Sequence, residues 1–515
     1  MTKLLALLTL LGLASASTVD TDNWVGRNIY FILLDRFAGG TPGCQNGKEW
    51  CNGNIRGVTK QIPYIKKMGF DAVWITPVVK QVEWRDNWNG TGYHGYWAKD
   101  FNKIDEHFGT PEDLKQLSQT LKENGMLFML DIVANHVGPL HGLDDVASLG
   151  DGLNDLSGEQ FHQLAHFDEV DFEEYLKNPY TMMEAGDACW PYYDFGHGCN
   201  ETVILDGWFG DLGDLNHEDE PTAQYLLKWI GDMQKNYDID GFRLDTALYI
   251  PKPFLEKFQE EAGVYITGEV VTYNQTLHSS FQDGSALTGL LNFPITEFVK
   301  PTFSVGGGVN FVDFASLLEN QKSLYSSVHL LTNFVDNHDG DRFLTNHTLA
   351  QLENALTWSW LWHGIPSFYY GTEVPTVAEA TDCRASQWND ETGEFLDGSE
   401  GKIGELMTNL NEIRREFGLA FGGVNAASLG AVLKADEEGW MAFERSGLLA
   451  VVSNGDPKTA CFKSPCCPTG EDLLKVGARG EEEPNVACDG EEVCVELVDG
   501  APLVFNIESC KETKM

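Results

Sequence analysis

Eight short apolar segments, separated by longer amphipathic stretches, constrain the fold of this chain more than any other feature of its sequence. The segments are residues 28–34, 70–76, 126–132, 240–245, 264–269, 289–293, 328–335 and 365–370. Each is almost continuously apolar, as is typical of parallel strands that are buried on both faces. Eight strands that alternate with helices predict an α/β fold of the (β/α)8 barrel type.

The stretches between these segments carry helix signals. In one of them Thr110 suits the N-cap, Pro111 the first helical position and Asp113 the reciprocal capping role. Three leucines follow at helical spacing, namely Leu114, Leu117 and Leu121. The sequence therefore predicts a helix that begins just after Thr110 and packs its leucine face on the barrel.

Two regions interrupt the alternation of strands and helices. Residues 137–216 form a long excursion, rich in Gly, Asp and aromatic residues, after the third predicted strand. An insertion at that point lies on the face where barrel enzymes build their active sites. From residue 424 onward, short alternating runs predict antiparallel strands instead. We predict a barrel of residues 17–136 and 217–423, an inserted domain of residues 137–216 and a C-terminal β-sandwich domain of residues 424–515.

The first residues have the pattern of a secretory signal peptide. Lys3 precedes the apolar run 4–13, and Ala14-Ser15-Ala16 is a small-residue cleavage pattern. The run is too short to span a bilayer, and no other run approaches the ~20 apolar residues that a spanning helix needs. A plain N-terminal anchor is the alternative. We predict that residues 1–16 are a signal peptide and that the protein is secreted.

Glycosylation triplets and cysteines agree with export. Four Asn-X-Thr triplets begin at Asn89, Asn200, Asn274 and Asn346, although each is a weak signal by itself. The eleven cysteines fit an oxidising compartment, and their odd number leaves one thiol over. Local disulfides are expected within the close pairs Cys44/Cys51 and Cys189/Cys199.

Six further cysteines cluster near the C-terminal end and could form three more disulfides. They are Cys461, Cys466, Cys467, Cys488, Cys494 and Cys510. A metal knuckle is the alternative, but no histidine accompanies the cluster. Cys383 is the natural unpaired thiol.

The charge of the chain excludes several classes of function. It has 35 Lys and Arg against 78 Asp and Glu, a formal net charge of −43, which repels phosphate backbones and anionic membrane surfaces. The 42% hydrophobic and 11% aromatic content also excludes a disordered chain. We expect a monomer with no nucleic acid or membrane partner.

Three acidic residues end predicted strands, at the face where a barrel carries its active site. Arg243 and Asp245 alternate onto one side of the fourth strand, and a neighbouring cation holds a carboxylate ionised, as a nucleophile requires. Glu269 ends the next strand in a largely apolar setting, where desolvation would raise its pKa and suit a general acid. Asp339 follows the seventh strand. One such residue is more often a loop cap, but three beside Arg243 indicate an active site.

Two carboxylates with opposed pKa values, about 5 Å apart, are the groups needed for retaining glycoside hydrolysis. The segment Tyr93-His94-Gly95-Tyr96-Trp97, after the second strand, supplies flat rings for stacking on a sugar and imidazoles for its hydroxyls. Packing of Tyr96 and Trp97 against the barrel explains these aromatic residues equally well. The prediction of a sugar substrate therefore depends mainly on the carboxylates.

Four motifs in this order resemble those of the secreted α-amylases, a large group of retaining α-glucan-active enzymes, and especially the fungal type. They are Asp131-Ile132-Val133-Ala134-Asn135-His136, Gly241-Phe242-Arg243-Leu244-Asp245, Gly268-Glu269-Val270 and Phe334-Val335-Asp336-Asn337-His338-Asp339. The resemblance extends from about residue 28 to residue 416 and is weak in the tail. It implies that Asp245 is the nucleophile, Glu269 the acid/base and Asp339 the stabiliser of the transition state. It also implies a set of glucosyl-binding residues, namely His136, His338, Arg243, His94, Tyr96, Trp97 and Arg384.

The same resemblance implies a calcium ion between the barrel and the excursion. Calcium takes six to eight oxygen ligands, and Asn135, Asp214 and the carbonyl of Tyr249 match family ligands. The acidic ligand expected before the second cysteine of the excursion is missing, because His197 and Gly198 stand there, and Asp194 is the candidate replacement. A structural hydrogen bond after the third strand is the alternative role for Asn135.

Two departures from the fungal pattern affect specificity. That pattern has Lys-His shortly after the nucleophile, a pair that helps to bind the sugar on the leaving-group side, whereas Leu248 and Tyr249 stand here. The acidic residue expected four positions before Arg384 is replaced by Ala380. Hydrolysis is not affected, but the preferred α-glucan is left open.

Three functions are consistent with these observations. We predict an endo-acting α-1,4-glucan hydrolase whose substrates are starch, glycogen and maltooligosaccharides. A glucanotransferase or α-glucosidase with the same core chemistry is the alternative that Leu248 and Tyr249 leave open. A non-catalytic carbohydrate-binding scaffold would have lost at least one of the three acidic residues, and all three are present.

Overall fold

Eight parallel strands close into a barrel in the computed structural model, as the sequence predicted. In chain order they are β1 (Ile29–Ile32), β2 (Ala72–Ile75), β3 (Leu127–Ile132), β4 (Gly241–Leu244), β5 (Tyr265–Gly268), β6 (Gly289–Leu291), β7 (Leu331–Phe334) and β8 (Ile365–Tyr369). Each strand pairs with the next one along the chain, and β8 closes the barrel on β1. The carboxyl ends of all eight strands therefore meet at one face.

The structure describes residues 19, 21–44, 47–83, 90–140, 160–162, 189–195, 199, 201–208, 211–282, 286–464, 466–476 and 484–508. Several predicted features lie outside the described residues: the signal peptide, most of the 137–216 excursion, Cys510, and the asparagines of the first two glycosylation triplets. None of the helices in the described part of the chain is long and apolar enough to cross a membrane.

Helices connect the barrel strands and cover them. The longer ones are Ile55–Lys67, Pro111–Glu123, Glu220–Tyr237, Lys252–Ala262, Phe293–Thr302, Phe311–Leu324, Leu349–Leu361 and Lys402–Glu416, and the five-residue helix Gln275–Ser279 follows β5. The predicted capping box is present, since the Thr110 hydroxyl accepts the Asp113 N–H at 3.2 Å and the Asp113 carboxylate accepts the Thr110 N–H at 2.9 Å. The helix that follows buries Leu114, Leu117 and Leu121, as expected.

Short elements fill the loops. Four-to-six-residue helices span Leu34–Phe37, Glu201–Asp206, Phe343–Asn346 and Pro375–Ala378, and 3₁₀ turns span Ala247–Tyr249, Val328–Leu330, Gly470–Asp472 and Val498–Gly500. Two small antiparallel pairs join Val79–Gln81 to Ala98–Ile104 and His136–Pro139 to Leu212–Asp214. The second pair ties the loop after β3 to the end of the excursion.

The C-terminal region consists of antiparallel sheets, as the alternating runs predicted. One sheet contains Ala431–Asp436, Trp440–Arg445, Leu448–Ser453 and Leu503–Asn506, and the other contains Lys458–Lys463, Val486–Asp489 and Glu492–Leu497. Side chains of both sheets share one core cluster that includes Trp440, Leu449, Phe462, Val493 and Phe505. Alternate residues of these strands thus face a common interior.

The disulfides agree with the cysteine pattern. Both local bridges form, Cys44–Cys51 and Cys189–Cys199, and the C-terminal region contains Cys461–Cys494 and Cys467–Cys488. Cys466 is also disulfide-bonded. Cys383 is free, as predicted.

Candidate active site

Arg243 is the centre of the polar cluster at the carboxyl ends of β3, β4 and β5. Its Nη1 donates to Asp131 Oδ1 at 3.0 Å and to Asp245 Oδ1 at 2.6 Å, and its Nη2 lies 2.7 Å from Glu269 Oε1. The side chain is only 1% exposed. Alternation along β4 turns Arg243 and Asp245 to the same side, as expected from their spacing. One buried cation therefore holds three carboxylates from three neighbouring strands.

Thr246 joins Asp245 and Glu269 a second time. Its N–H donates to Glu269 Oε2 at 2.9 Å, and its hydroxyl donates to Asp245 Oδ2 at 3.1 Å. The backbone at Thr246 is left-handed, with φ 47° and ψ 35°, which costs a non-glycine residue about 1–3 kcal/mol. Arg243 and Thr246 together engage both oxygens of both carboxylates, so these carboxylates lie side by side.

Glu269 holds a proton more tightly than an ordinary glutamate. Burial raises its pKa to about 8, the negative charges of Asp245 and Asp339 act in the same direction, and Arg243 opposes them. The sequence predicted this direction from the apolar surroundings of β5. Glu269 is therefore protonated at neutral pH and can donate a proton.

Asp339 lies on the loop after β7, close enough for its charge to raise the pKa of Glu269. Arg384 Nη2 donates to its Oδ1 at 3.0 Å, and His338 Nε2 lies 3.3 Å from its Oδ2. Desolvation raises the pKa of Asp339, but the combined effect of His338 and Arg384 in the opposite direction is larger, so the pKa lies below its ordinary value. The side chain is 47% exposed, which leaves an ionised carboxylate open to the cleft.

Tyr96 and two histidines form a wall next to Asp339. The Tyr96 ring stacks on His338 at a centroid distance of 5.1 Å and on His94 at 5.7 Å. Gly95 between them has a φ of +95°, and a Cβ there would lie 2.5 Å from the Pro77 carbonyl oxygen. A glycine is thus needed at this position for both neighbouring rings to reach the wall.

Three buried histidines of the site are neutral at neutral pH. Burial lowers the pKa of His94, His136 and His338, the last to about 4. Neither His136 Nε2 nor His338 Nδ1 has a hydrogen-bond partner among the described residues. Both nitrogens are buried, and a buried polar atom without a partner is uncommon in a folded protein.

Trp97 and Arg384 make different contacts around the site. Trp97 is buried, and its ring makes a T-shaped contact with that of His94 at a centroid distance of 4.9 Å. Arg384 donates from Nε to the His338 carbonyl at 2.8 Å as well as to Asp339. Arg384 therefore contacts an acidic residue of the site directly, and Trp97 contacts it through His94.

Asp131 belongs to the site, although sequence reasoning did not select it. Besides Arg243, it accepts hydrogen bonds at Oδ2 from the Tyr96 hydroxyl at 2.8 Å and from Trp74 Nε1 at 3.1 Å. Asp131 lies opposite Arg243 in the pairing of β3 with β4. Alternation along β3 within the first motif was the signal that could have identified it.

The predicted calcium ligands Asn135 and Asp214 are adjacent and buried. Asn135 Nδ2 donates to Asp214 Oδ1 at 3.0 Å, and Asn135 Oδ1 has no hydrogen-bond partner in the described part of the chain. His162 Nδ1 lies 2.6 Å from Asp214 Oδ2. Burial raises the pKa of Asp214 to about 7, despite the opposing hydrogen bond from His162. An unpaired oxygen beside a buried carboxylate fits a hard cation.

The other two candidate ligands have different surroundings. Tyr249 ends the 3₁₀ turn after β4, and its hydroxyl lies 3.0 Å from that of Tyr193. Asp194 is exposed, next to Tyr193. His162 also approaches Glu218 and Asp206, a group of three side chains that could hold a metal ion. Sequence reasoning overlooked His162 because it lies inside the excursion, away from every motif.

A (β/α)8 barrel with paired buried carboxylates around an arginine at its strand ends is the architecture of a glycoside hydrolase. Residues 31–398 match the family model described as the alpha amylase catalytic domain. The chain therefore belongs to the α-amylase family, whose members hydrolyse α-1,4-glucosidic bonds with retention of configuration.

Relatives with known names lie in the same family. The chain is 30% identical over 477 residues to an α-amylase of Saccharomycopsis fibuligera, covering 89% of this chain and 87% of that one. It is 32% identical over 414 residues to α-amylase 1 of Schwanniomyces occidentalis, covering 77% and 72% of the two chains. The solved structure of an α-amylase from Malbranchea cinnamomea superposes with a TM-score of 0.75 at 27% identity, covering 95% and 98%.

Proposed function

We propose that this chain is an endo-acting α-amylase in which Asp245 is the nucleophile and Glu269 the acid/base. The observation that carries the proposal is the pair of carboxylates held side by side by Arg243 and Thr246, and the burial that raises the pKa of Glu269 to about 8 agrees with its role as the acid. Retaining enzymes need such a pair at about 5–5.5 Å, one member ionised and one carrying a proton. Membership of the α-amylase family supports the choice of an α-1,4-glucan as substrate.

The reaction proceeds in two displacements. Asp245 attacks the anomeric carbon while Glu269 gives its proton to the glycosidic oxygen, so the leaving chain departs with that proton and a glycosyl ester forms on Asp245. Glu269, now a carboxylate, removes a proton from a water molecule that attacks the same carbon and releases Asp245. Asp339, ionised and facing the cleft, stabilises the positive charge that develops on the sugar ring.

The glucosyl unit next to the cleaved bond is bound by the wall described above. The imidazoles of His136 and His338, whose pKa values are lowered by burial, are the neutral hydrogen-bonding groups that we propose for its hydroxyls. Tyr96 offers its ring, while Arg384 holds Asp339 in place. His94 completes the wall beside Tyr96.

Calcium would be held where the barrel meets the excursion. Asn135 Oδ1 and the Asp214 carboxylate are the side-chain oxygens that fit it, with the carbonyl of Tyr249 and the carboxylate of Asp194 as further candidates. A bound ion would cross-link the loop after β3 to the excursion, and its role is structural. The proposal rests on the unpaired Asn135 oxygen rather than on a complete ligand set.

The remaining expectations describe the form in which the protein acts. We propose removal of residues 1–16, secretion, and action as a monomer; the disulfides of the described residues support secretion. Asn346 is exposed and Asn274 half-buried, so both can accept a glycan. The barrel would comprise residues 17–136 and 217–423, the inserted domain 137–216 and the C-terminal domain 424–515.

The test follows the anomer formed by purified protein on soluble starch, by NMR, with and without a calcium chelator. We expect the α-anomer first, and Asp245→Asn should lower turnover by at least about 10⁴-fold. Loss of activity with chelator, restored by added calcium, would support the ion. A β-anomer at early times would overturn the double displacement.

Glucan transfer is the second candidate function. Leu248 is 1% exposed, and the Tyr249 hydroxyl is hydrogen-bonded to that of Tyr193. Neither side chain is charged, so this pair offers no charged group to the leaving-group side of the cleft. If starch is not cleaved while short maltooligosaccharides are rearranged, the protein is a transferase. A rapid fall in starch viscosity supports endo-hydrolysis instead.

A further inference from the structure

The guanidinium of Arg384 is hydrogen-bonded through all three of its nitrogen atoms. Nη2 donates to Asp339 Oδ1 at 3.0 Å, Nε donates to the His338 carbonyl at 2.8 Å, and Nη1 donates to the Tyr93 hydroxyl at 3.3 Å. The first two partners belong to the loop that carries Asp339, whereas Tyr93 belongs to the loop after β2. Tyr93 therefore ties the guanidinium to a part of the barrel outside the Asp339 loop.

Tyr93 is buried, and a second arginine packs on its ring. The Cζ atom of Arg36 lies 4.0 Å from the Tyr93 ring centroid, a distance at which a guanidinium is attracted to an aromatic face. The Cζ atom of Arg384 lies 6.0 Å from the same centroid. One ring thus contacts both guanidinium groups, and Arg36 restrains the ring whose hydroxyl accepts from Arg384.

Arg36 also contacts the backbone of Arg384. It lies on the short helix Leu34–Phe37 after β1, and its Nη1 donates to the Arg384 carbonyl at 3.3 Å. The carbonyl of Arg36 accepts the Gln387 N–H at 2.8 Å. Arg36 therefore fixes both the backbone of the 384–387 segment and, through Tyr93, the side chain of Arg384.

An acidic residue and a disulfide-closed loop hold Arg36 in turn. Its Nε donates to Asp35 Oδ2 at 2.9 Å, and its Nη2 donates to the Glu49 carbonyl at 2.9 Å. Asp35 also accepts the N–H groups of Cys51 at 2.8 Å and of Asn52 at 2.9 Å. The Cys44–Cys51 disulfide closes that loop. A buried ion pair with its hydrogen bonds satisfied in this way favours one geometry.

We propose that Tyr93 and Arg36 are positioning residues, which keep the Arg384 guanidinium on Asp339 while the transition state forms. The inference rests on the proposed function, because it needs Asp339 as the carboxylate that stabilises the transition state. An arginine side chain has many rotamers, and an electrostatic group is most effective when its position is set before the reaction. Both residues act through Arg384, so they should affect the transition state more than the bound substrate.

Tyr93→Phe is the first test, because it keeps the ring on Arg36 and removes only the hydroxyl that accepts from Arg384. On 4-nitrophenyl α-maltotrioside, we expect kcat and kcat/KM to fall together by about tenfold, with KM changed less than twofold. A rise in KM at unchanged kcat would overturn the inference, since it would mean that Tyr93 acts on substrate binding.

Tyr325→Phe is the matched control. Tyr325 is also buried, and its hydroxyl lies 2.8 Å from His278 Nδ1. It stands in the connection that precedes β7, whereas the site is built from loops that follow the strands. This variant should lose a similar amount of stability and keep the wild-type kcat. An equal fall of kcat in both variants would make the effect of Tyr93→Phe one of stability alone.

Two further variants test whether the effect passes through Arg384. Arg36→Lys keeps a positive charge beside Asp35 but loses the planar guanidinium, so it should lower kcat about tenfold while the protein stays folded. In Arg384→Ala, adding Tyr93→Phe should cause no further loss, because the group that Tyr93 positions is already absent. Losses that multiply in the double variant would overturn the inference.

A crystal structure of Tyr93→Phe separates the inference from the proposed function. We expect the contact between Arg384 Nη2 and Asp339 Oδ1 to be lost, or to be present in only one of several Arg384 conformers. If the wild type does not cleave starch but the variant loses this contact, the proposed function fails and the positioning role stands. If starch is cleaved and the variant keeps both the contact and the wild-type kcat, the positioning role fails and the proposed function stands.

Discussion

The two sides of the active-site cleft differ in chemistry and in how the chain builds them. The side that would bind the glucosyl unit next to the cleaved bond is polar and mostly buried, with Tyr96, His338 and Arg384 in direct contact with Asp131 or Asp339. The other region, where the excursion meets the loop after β5, presents exposed rings of Trp190 and Tyr192 in contact with Tyr273. One side is a network of charged hydrogen bonds, and the other is a surface of aromatic carbon.

The difference separates reaction chemistry from the choice of chain length. Buried charges and hydrogen bonds are costly to disturb, because each group that loses its partner stays desolvated. Exposed rings can be removed without leaving an unsatisfied group. We therefore expect substitutions on the polar side to affect every substrate, and substitutions on the aromatic side to affect long substrates alone.

The largest effect is expected at Arg243, which both sides share. Arg243→Met would leave Asp131, Asp245 and Glu269 buried without a cation, lowering the free energy of unfolding by about 3–5 kcal/mol. Turnover should fall by more than about 10⁴-fold, because the nucleophile and the acid lose their common partner. Denaturant unfolding measures the loss of stability, and hydrolysis of the nitrophenyl substrate 4-nitrophenyl α-maltotrioside measures the loss of turnover.

Arg445 is the matched control. It is also fully buried, but it donates to carbonyl oxygens, including Trp362 O at 2.6 Å and Ala426 O at 3.0 Å, and no carboxylate pairs with it among the described residues. Arg445→Met should therefore destabilise the protein while kcat below the unfolding temperature stays unchanged. A matching loss of kcat in this variant would mean that stability alone explains the Arg243 result.

Arg384→Ala tests the polar side by itself. The change removes the partner of Asp339 and the bond to the His338 carbonyl, so kcat/KM should fall about 100-fold, the size expected for one electrostatic contact to a stabilising group. The loss should be equal on maltoheptaose and on the nitrophenyl substrate. A loss confined to maltoheptaose would show that the two sides are not separate in the way proposed.

Much of the fold could be predicted because the evidence is local. Each barrel strand is a short apolar run that must be buried on both faces, and all eight predicted segments contain an observed strand. The carboxylate cluster could be predicted for the same reason, since the two-residue period of a strand alone places Arg243 and Asp245 on one side. The same argument applied to β3 would have added Asp131.

The aromatic side could not be predicted in this way. It joins Trp190 and Tyr192 of the excursion to Tyr273 of the loop after β5, and neither segment has a periodic pattern that links it to the other. The left-handed backbone at Thr246 is also invisible in the sequence, because threonine rarely adopts it. Such features depend on packing between distant segments rather than on local preference.

The pH dependence of the reaction should follow Glu269. Its pKa is raised to about 8 by burial, so activity needs the protonated form and kcat/KM should fall about tenfold per pH unit above that value. The folded state also binds this proton more tightly than the unfolded chain. The contribution of Glu269 to stability is therefore present at low pH and is lost as the pH rises from the unfolded value towards 8.

Glu269→Gln provides the control for both measurements. The variant cannot ionise, so the fall in its free energy of unfolding between pH 5 and pH 9 should be smaller than that of the wild type. Its residual activity should lack the alkaline decline. If kcat/KM of the glutamine variant declines with the same pH midpoint as that of the wild type, a group other than Glu269 controls the pH dependence.

The smallest expected effect concerns the hydrogen bond that connects the two sides. Tyr249→Phe removes one partner of the 3.0 Å contact between the hydroxyls of Tyr249 and Tyr193, a loss of about 1 kcal/mol in the free energy of unfolding. Because this contact links residues 189–195 to the turn after Asp245, we expect less than a twofold change on the nitrophenyl substrate and a modest shift in the maltoheptaose bonds that are cleaved. A double-mutant cycle with Tyr193→Phe should give a coupling near the single loss. Additive effects would mean that residues 189–195 keep their position without this hydrogen bond, held by the bonds of the Pro191 carbonyl to Thr272 and Tyr273 and by the Cys189–Cys199 disulfide.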